Sequence, residues 1–191
     1  RLIEQSIDRS LKRLKTDRID VMMLHSCDLD TLQRGEAIEA LVKARDKGKI
    51  RFAGYAGDND AAAYAAALDD IAVIETSINI CDQRNLDTVL PICQQHDVGV
   101  IAKRPLANAA WRSAQPSDFY EQYASVYQKR LAAMGITPFE LGYFGHADVE
   151  WPEIALKFTL AFDQVHCAIV GTTSKTNAKA DLMAAAKNPL R

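Results

Sequence analysis

The chain has 191 residues, 48% apolar and 25% charged, with 23 Lys and Arg against 25 Asp and Glu for a formal charge of −2. These values suit a globular domain and exclude a disordered chain. The balanced charge argues against a nucleic-acid partner, and no apolar stretch approaches the ~18 residues that span a bilayer, so no membrane partner is expected. Arg1 opens inside an amphipathic pattern, with Leu2, Ile3, Ile7, Leu11 and Leu14 on one helical face. No capping residue precedes them, and no signal-peptide pattern is present. The start reads either as a plain boundary or as the middle of a longer chain, and the second is expected.

Ile19 to His25 is a short apolar run that reads as a buried strand. Residues 35 to 47 carry Ala37, Ile38, Leu41, Val42 and Ala44 at helical spacing, with Gly48 as a stop. Ile50 to Ala56 is the next strand, and the Ala-rich segment 61 to 68 is a helix former. Ala72 to Ile78 reads as a strand, and Leu86 to His96 as a helix in which Pro91 marks a break or a late start. Val98 to Ala102 is a strand. Helices are expected over about 118 to 134 and 152 to 163, then a strand from Cys167 to Val170 and a helix from about 175 to 187.

Five strands, each followed by a helix, imply right-handed β-α-β units and a parallel sheet. An open doubly wound sheet and a (β/α) barrel both satisfy the pattern. The first strand lacks a G-x-G-x-x-G turn, which disfavours the open sheet. A complete barrel has eight units and typically ~250 residues, and three further units of ~30 residues would bring this chain to about 280. The fold expected is a (β/α)8 TIM barrel represented by about five C-terminal units, as one partial domain over residues 1–191. Unpaired sheet edges would be an aggregation hazard, so self-association covering them is expected unless further residues pair there.

Sites of such barrels gather at the C-terminal ends of the strands. Gly171 permits close backbone approach, and Thr172, Thr173 and Ser174 offer hydroxyls at a helix N-terminus, where free N–H groups favour an anion. Lys175 and Lys179 share a helix face. The group suits a phosphate, or else is an ordinary Ser/Thr cap with solvated lysines. Arg104, before Pro105, reaches the same anion or forms a surface ion pair. His25 is either a hydrogen-bonded core residue or an acid/base or carbonyl-orienting group. Glu75, in a buried-looking strand, implies a ligand contact or an ion pair. Phe119, Tyr120, Tyr123 and Tyr127 read as packing. Nothing marks Cys27 as an activated nucleophile. Cys27, Cys81, Cys93 and Cys167 show no paired spacing, and His25, His96, His146 and His166 are scattered, so no metal site is expected and the thiols read as reduced and cytoplasmic.

Taken in order, the segment from Ser10 to His25, Gly54-Tyr55-Ala56-Gly57, Glu75-Thr76-Ser77-Ile78-Asn79, Pro105-Leu106 and Ala168-Ile169-Val170-Gly171-Thr172-Thr173 resemble motifs of the aldo-keto reductase family. The resemblance covers nearly the whole chain. It implies an eight-stranded barrel that reduces aldehydes and ketones with NADPH, NAD being possible, on a small-molecule carbonyl substrate. In that family a Tyr, assisted by Lys, Asp and His, protonates the carbonyl oxygen. Of those four only the His has a counterpart here, His25, so the chain is expected to be incomplete and inactive as it stands. By the same likeness, Asn79 and Glu75 fall near the nicotinamide amide, and Lys103, Arg104, Pro105 and Leu106 by the ring and pyrophosphate. Gly171, Thr172, Thr173, Ser174 and Lys175, with Lys179 and Asp181, fall around the adenosine. This chain departs from the pattern at several places. Ala56 and Gly57 replace a Ser-Asn pair, Glu75 a Gln, Asp181 an Asn, and Lys103 an aromatic ring. Two other classes stay open: a non-catalytic nucleotide-sensing or interaction protein on the same barrel, and an unrelated barrel lyase or isomerase for a phosphorylated substrate.

Overall fold

The computed structural model describes residues 2–112 and 121–186. The described chain divides into two compact units, Arg1–Thr76 with Arg84–Ile101, and Ser77–Gln83 with Ala102–Arg191. Five strands form one sheet in chain order, β1-β2-β3-β4-β5. These are β1 (Ile19–His25), β2 (Ile50–Ala56), β3 (Ile71–Ser77), β4 (Gly99–Lys103) and β5 (Cys167–Ala168). β1 pairs parallel with β2, and β2 with β3. Sequential parallel pairing with helical connections is the pattern that the alternating sequence dictates.

In the first unit, α1 (Leu2–Leu14) buries Ile7 completely, while Leu2 and Leu14 stay exposed, so only the middle of the expected apolar face is covered. Asp8 of α1 pairs with Lys49, and Glu4 lies 3.5 Å from Lys47. The helix expected over 35 to 47 is α3 (Glu36–Asp46), and a further short helix, α2 (Leu29–Arg34), precedes it. Asp28 caps α2 by accepting from Thr31 N at 2.8 Å, and Gly35 ends it in the left-handed region at φ +80°. α4 (Asn59–Ala66) follows β2. The helix expected from Leu86 to His96 is two, α5 (Arg84–Thr88) and α6 (Leu90–Gln95), with Pro91 in the first turn of α6. Proline costs least there, because the N–H it lacks would have no intrahelical partner.

The strands of this unit approach closely. A Cβ on Gly54 would lie 2.8 Å from Met23 Cγ and from Val73 O. Leu41, Ile50 and Ile74 are almost completely buried around them. The buried polar groups here are paired. Tyr55 donates to Cys27 O at 2.8 Å, Thr76 to Asp58 at 3.1 Å, and Asn85 accepts from Asn59 N at 3.0 Å while its amide donates to Asp58 at 3.4 Å. Burial pushes the Tyr55 hydroxyl up to about 12, and burial also raises the Cys27 thiol, so Cys27 carries no mark of a nucleophile.

The second unit holds the end of β4, a 3-10 turn over Ala107–Ala109, α7 (Glu121–Met134), a second 3-10 turn over Phe139–Leu141, α8 (Ala147–Leu160), β5 and α9 (Lys175–Ala185). The expected 118 to 134 helix is α7; its first residues, with Phe119, Tyr120 and the Tyr123 side chain, lie outside the described residues. Its Tyr127 is packed in a core with Ile80, Cys81, Leu131, Trp151 and Ile154, as a packing residue should be. α8 begins five residues ahead of Pro152 rather than at it, because one missing N–H is outweighed by the rest of the helix. β5 is only two residues long, against the four expected. The 175 to 187 helix is α9, with residue 187 outside the described residues. Among the described residues no helix is long and apolar enough to cross a membrane, and no group of His, Cys, Asp and Glu is placed to hold a metal.

Candidate functional site

In the first unit the parallel register brings the strand ends level: His25 pairs with Ala56, and Ala56 with Glu75. His25 is exposed, so the core-histidine reading gives way to a side chain open to solvent. Glu75 is half-buried, and its carbonyl accepts from Gly57 N at 3.0 Å.

In the second unit, Lys103 closes β4, and its carbonyl accepts from Ile78 N at 3.4 Å. Arg104 turns the chain through the left-handed region at φ +55° and donates to the buried Ser77 Oγ at 2.8 Å. Ala107, Asn108 and Ala109 follow at φ +44°, +51° and +54°. Non-glycine residues in this region cost ~1 kcal/mol or more each, and such strain gathers where a ligand is held.

This strained segment lines a cleft of about 700 Å³. Arg104, Pro105, Leu106, Asn108, Ala109, Trp111 and Arg112 come from the segment after β4, and Pro152 from α8. Ile169, Val170, Gly171, Thr172, Thr176, Asn177, Ala180 and Asp181 come from the β5–α9 connection and α9. Of the residues expected from sequence, the cleft brings together Arg104, Pro105, Leu106, Gly171, Thr172 and Asp181. Asn79, Lys103, Thr173, Ser174, Lys175 and Lys179 are not part of its lining. Ser174 caps α9 by accepting from Asn177 N at 3.2 Å, and Thr172 Oγ1 accepts from Ser174 N at 3.1 Å. Those two hydroxyls thus serve as the ordinary cap, and Lys175 and Lys179 are exposed. Sequence reasoning missed Trp111, Arg112, Asn108, Thr176 and Asn177. Only the nearness of Trp111 and Arg112 to Arg104-Pro105 could have flagged them.

Two residues of this lining each have a buried side-chain atom without a hydrogen-bond partner among the described residues, Trp111 Nε1 and Asp181 Oδ2. The Trp111 ring stacks on Trp151 of α8 with centroids 6.1 Å apart and planes 13° apart. Burial raises the Asp181 carboxyl above its ordinary range. A third such atom is Asn79 Nδ2. Asn79 is fully buried in a turn closed by Asn79 N to Asp82 O at 3.2 Å and Asp82 N to Asn79 O at 2.9 Å. Its Oδ1 accepts from Cys81 N at 2.9 Å. The Tyr127 hydroxyl lies beside Asn79 Nδ2 but not in hydrogen-bonding geometry, and donates to Asp82 Oδ2 at 2.8 Å. Arg130 reaches Asp82 Oδ1 at 3.2 Å and Cys81 O at 3.0 Å. Burial and the Asp82 charge raise the Tyr127 hydroxyl, so it stays a donor at neutral pH. An unmet buried donor or acceptor costs ~1–3 kcal/mol, which a polar ligand can return.

The sequence profile of the aldo/keto reductase family matches residues 1–191, the whole chain. The chain belongs to that family. An aldo/keto reductase is an α/β protein of (β/α)8 fold, and this chain carries a five-stranded sheet with helices from it. It is 25% identical over 190 residues to an L-galactose dehydrogenase of Arabidopsis thaliana, covering 95% of this chain and 57% of the relative. It is 26% identical over 182 residues to a D-threo-aldose 1-dehydrogenase of a Pseudomonas species, covering 88% and 52%. Among solved structures, an aldo-keto reductase of Bacillus halodurans in its holo form superposes with a TM-score of 0.77 at 27% identity, over 99% of this chain and 62% of that one. The chain thus spans between half and two thirds of these relatives.

Family members are oxidoreductases that use a nicotinamide cofactor on small carbonyl compounds. The residues present fit a nicotinamide dinucleotide. The cleft lining supplies Arg104 and Arg112, donors suited to phosphate oxygens, and the hydroxyl of Thr172. Membership also leaves the unrelated lyase reading without support.

Proposed function

We propose that this chain supplies the dinucleotide-binding part of an NADP(H)-dependent reductase of aldehydes and ketones. The observation that carries the reading is the cleft between residues 104–112 and 169–181, lined by Arg104 and Arg112 on one segment and Gly171 and Thr172 on the other. Arg104, Pro105, Leu106 and Lys103 would hold the ring and pyrophosphate portion. Gly171, Thr172, Thr173, Ser174, Lys175, Lys179 and Asp181 would hold the adenosine portion. Lys175 and Lys179 favour a further phosphate through charge at the exposed start of α9, which supports NADP over NAD. Asn79 would donate to the carboxamide oxygen.

A bound nicotinamide would supply the hydride that reduces a carbonyl carbon. The chain's own contribution to proton handling would be His25, an exposed imidazole that can orient a carbonyl oxygen or relay a proton. A buried, prearranged Asn79 holds its amide without reorganisation cost. The test is calorimetric titration of the 191-residue chain with NADP⁺ and NAD⁺. NADP⁺ is expected to bind several-fold more tightly, less so at high salt, and an Asn79→Ala variant more weakly than the parent. No heat with either dinucleotide would end the reading. The same chain is expected not to turn over simple aldehydes with NADPH, and turnover above a buffer blank would contradict that part.

A further inference from the structure

Gly57 follows β2 in the first unit, and its backbone is not in the left-handed region. A Cβ there would fall on the Tyr55 hydroxyl and lie 2.5 Å from two carbons of its ring. The bare position is therefore a matter of room and not of conformation: a side chain at 57 would have to take the place of the tyrosine ring. Tyr55 is 1% exposed. Burial keeps its hydroxyl protonated at neutral pH, and that hydroxyl donates to Cys27 O at 2.8 Å. The departure at Gly57 noted in the sequence thus has a local cause.

Cys27 lies in the short connection from β1 to α2, between Ser26 and Asp28. Ser26 takes the chain through the left-handed region at φ +52°. That conformation is costly for a non-glycine residue and persists only where the surroundings hold it. Two of the holding contacts come from the last residues of β2: Ser26 N donates to Ala56 O at 2.7 Å, and Cys27 O accepts from Tyr55. A third is the α2 cap, where Asp28 accepts from Thr31 N at 2.8 Å. The residue just before this turn is His25, which pairs with Ala56 in the sheet. His25 is thus fastened by strand pairing on one side and by the turn on the other, and its exposed imidazole extends from a backbone that Tyr55 helps to fix. We propose that Tyr55 is a positioning residue whose hydroxyl pins the Ser26–Cys27 turn and so sets where His25 presents its imidazole, with Gly57 as the position kept empty for the tyrosine ring. This rests on the proton-handling role given to His25 above and adds a residue that acts through it from within the core.

The test compares the parent chain with Tyr55→Phe, which keeps the ring and removes the hydroxyl. Losing one hydrogen bond between uncharged groups is expected to speed hydrogen exchange at the Ser26 N–H by roughly 2- to 10-fold. The Val98 N–H, which donates to Cys93 O at 2.8 Å elsewhere in the unit, is expected to keep its rate. No acceleration at Ser26, or an equal one at both sites, overturns the proposal. The second readout is the imidazole spectrum. The chain has four histidines, and His25→Gln assigns the signals of His25. Tyr55→Phe is expected to move those signals and to leave the signals of His96, also in the first unit, in place. A lowered melting temperature with unmoved His25 signals shows a tie that is only structural, and overturns the proposal. A measurement on the unaltered chain guards against a variant that fails to fold: a strong nuclear Overhauser contact between the Gly57 Hα protons and the Tyr55 ring protons is expected, and its absence overturns the proposal. No readout here uses a nucleotide. These failures are therefore distinct from an absence of NADP⁺ binding, which would end the reductase reading and, with it, the role given to His25.

Discussion

The two units treat buried polarity in opposite ways. In the first, Tyr55, Thr76, Asn85 and Asp58 are joined to partners from their own unit, and glycine lets the strands close against each other at Gly54. In the second, Asn79, Trp111 and Asp181 each keep a buried polar atom unmet among the described residues. A domain that folds only for stability satisfies such groups or replaces them with apolar ones. Under the proposed function, the first unit serves packing and the second bears a cost that a ligand would return.

The contrast can be attacked first where it predicts the largest effect. Leu41 is fully buried in the first unit, so Leu41→Ala should lower unfolding free energy by ~2–5 kcal/mol in urea titration. ADP affinity measured well below the melting temperature should stay unchanged; a matching loss of affinity would erase the division of labour. Next, Tyr127→Phe in the second unit removes a hydrogen bond to a carboxylate, with an expected cost of ~1.5–3 kcal/mol. This variant should also weaken nucleotide binding, because the turn carrying Asn79 loses one of the contacts that Tyr127 and Arg130 make to it. Stability lost with affinity kept would show that the tie is only structural.

A smaller effect carries a sign. Burial raises the Asp181 carboxyl, so the folded chain favours its protonated form relative to the unfolded chain. The penalty is absent in acid and grows as pH rises from the ordinary carboxylate range through the raised value. Asp181→Asn should therefore raise the melting temperature slightly at pH 7, and the gain should vanish as pH falls through that window. A stabilisation equal at all pH values would refute the cause. Last, the exposed Arg51–Asp20 pair of the first unit, at 2.9 Å, should contribute under ~1 kcal/mol, read as a small and salt-sensitive change in Arg51→Ala.

The fold was mostly legible because period and punctuation agreed. Ile19 to His25 and Ile50 to Ala56 begin and end where their apolar runs do. α2 was missed although Asp28 and Gly35 bracket it, because a six-residue helix offers too little periodicity to read. Pro152 misled in the other direction, since a helix can run back past a proline when neighbours supply the rest of the turn. At the site, Arg104, Pro105, Leu106, Gly171 and Thr172 could be named from strand-end position, and Asp181 from the family resemblance. Trp111 could not, because an indole in a loop reads as packing until the structure shows its N–H without a mate. Lys175 and Lys179 show the opposite limit: helix spacing puts them on one face and says nothing of which face meets the cleft.

The stacked indoles have an optical consequence. Both of the chain's tryptophans sit in the second unit, with their planes nearly parallel and close enough to couple. Near-ultraviolet circular dichroism at tryptophan wavelengths should therefore record the melting of that unit alone, while tyrosine bands record both, so one heated sample can tell which half lets go first.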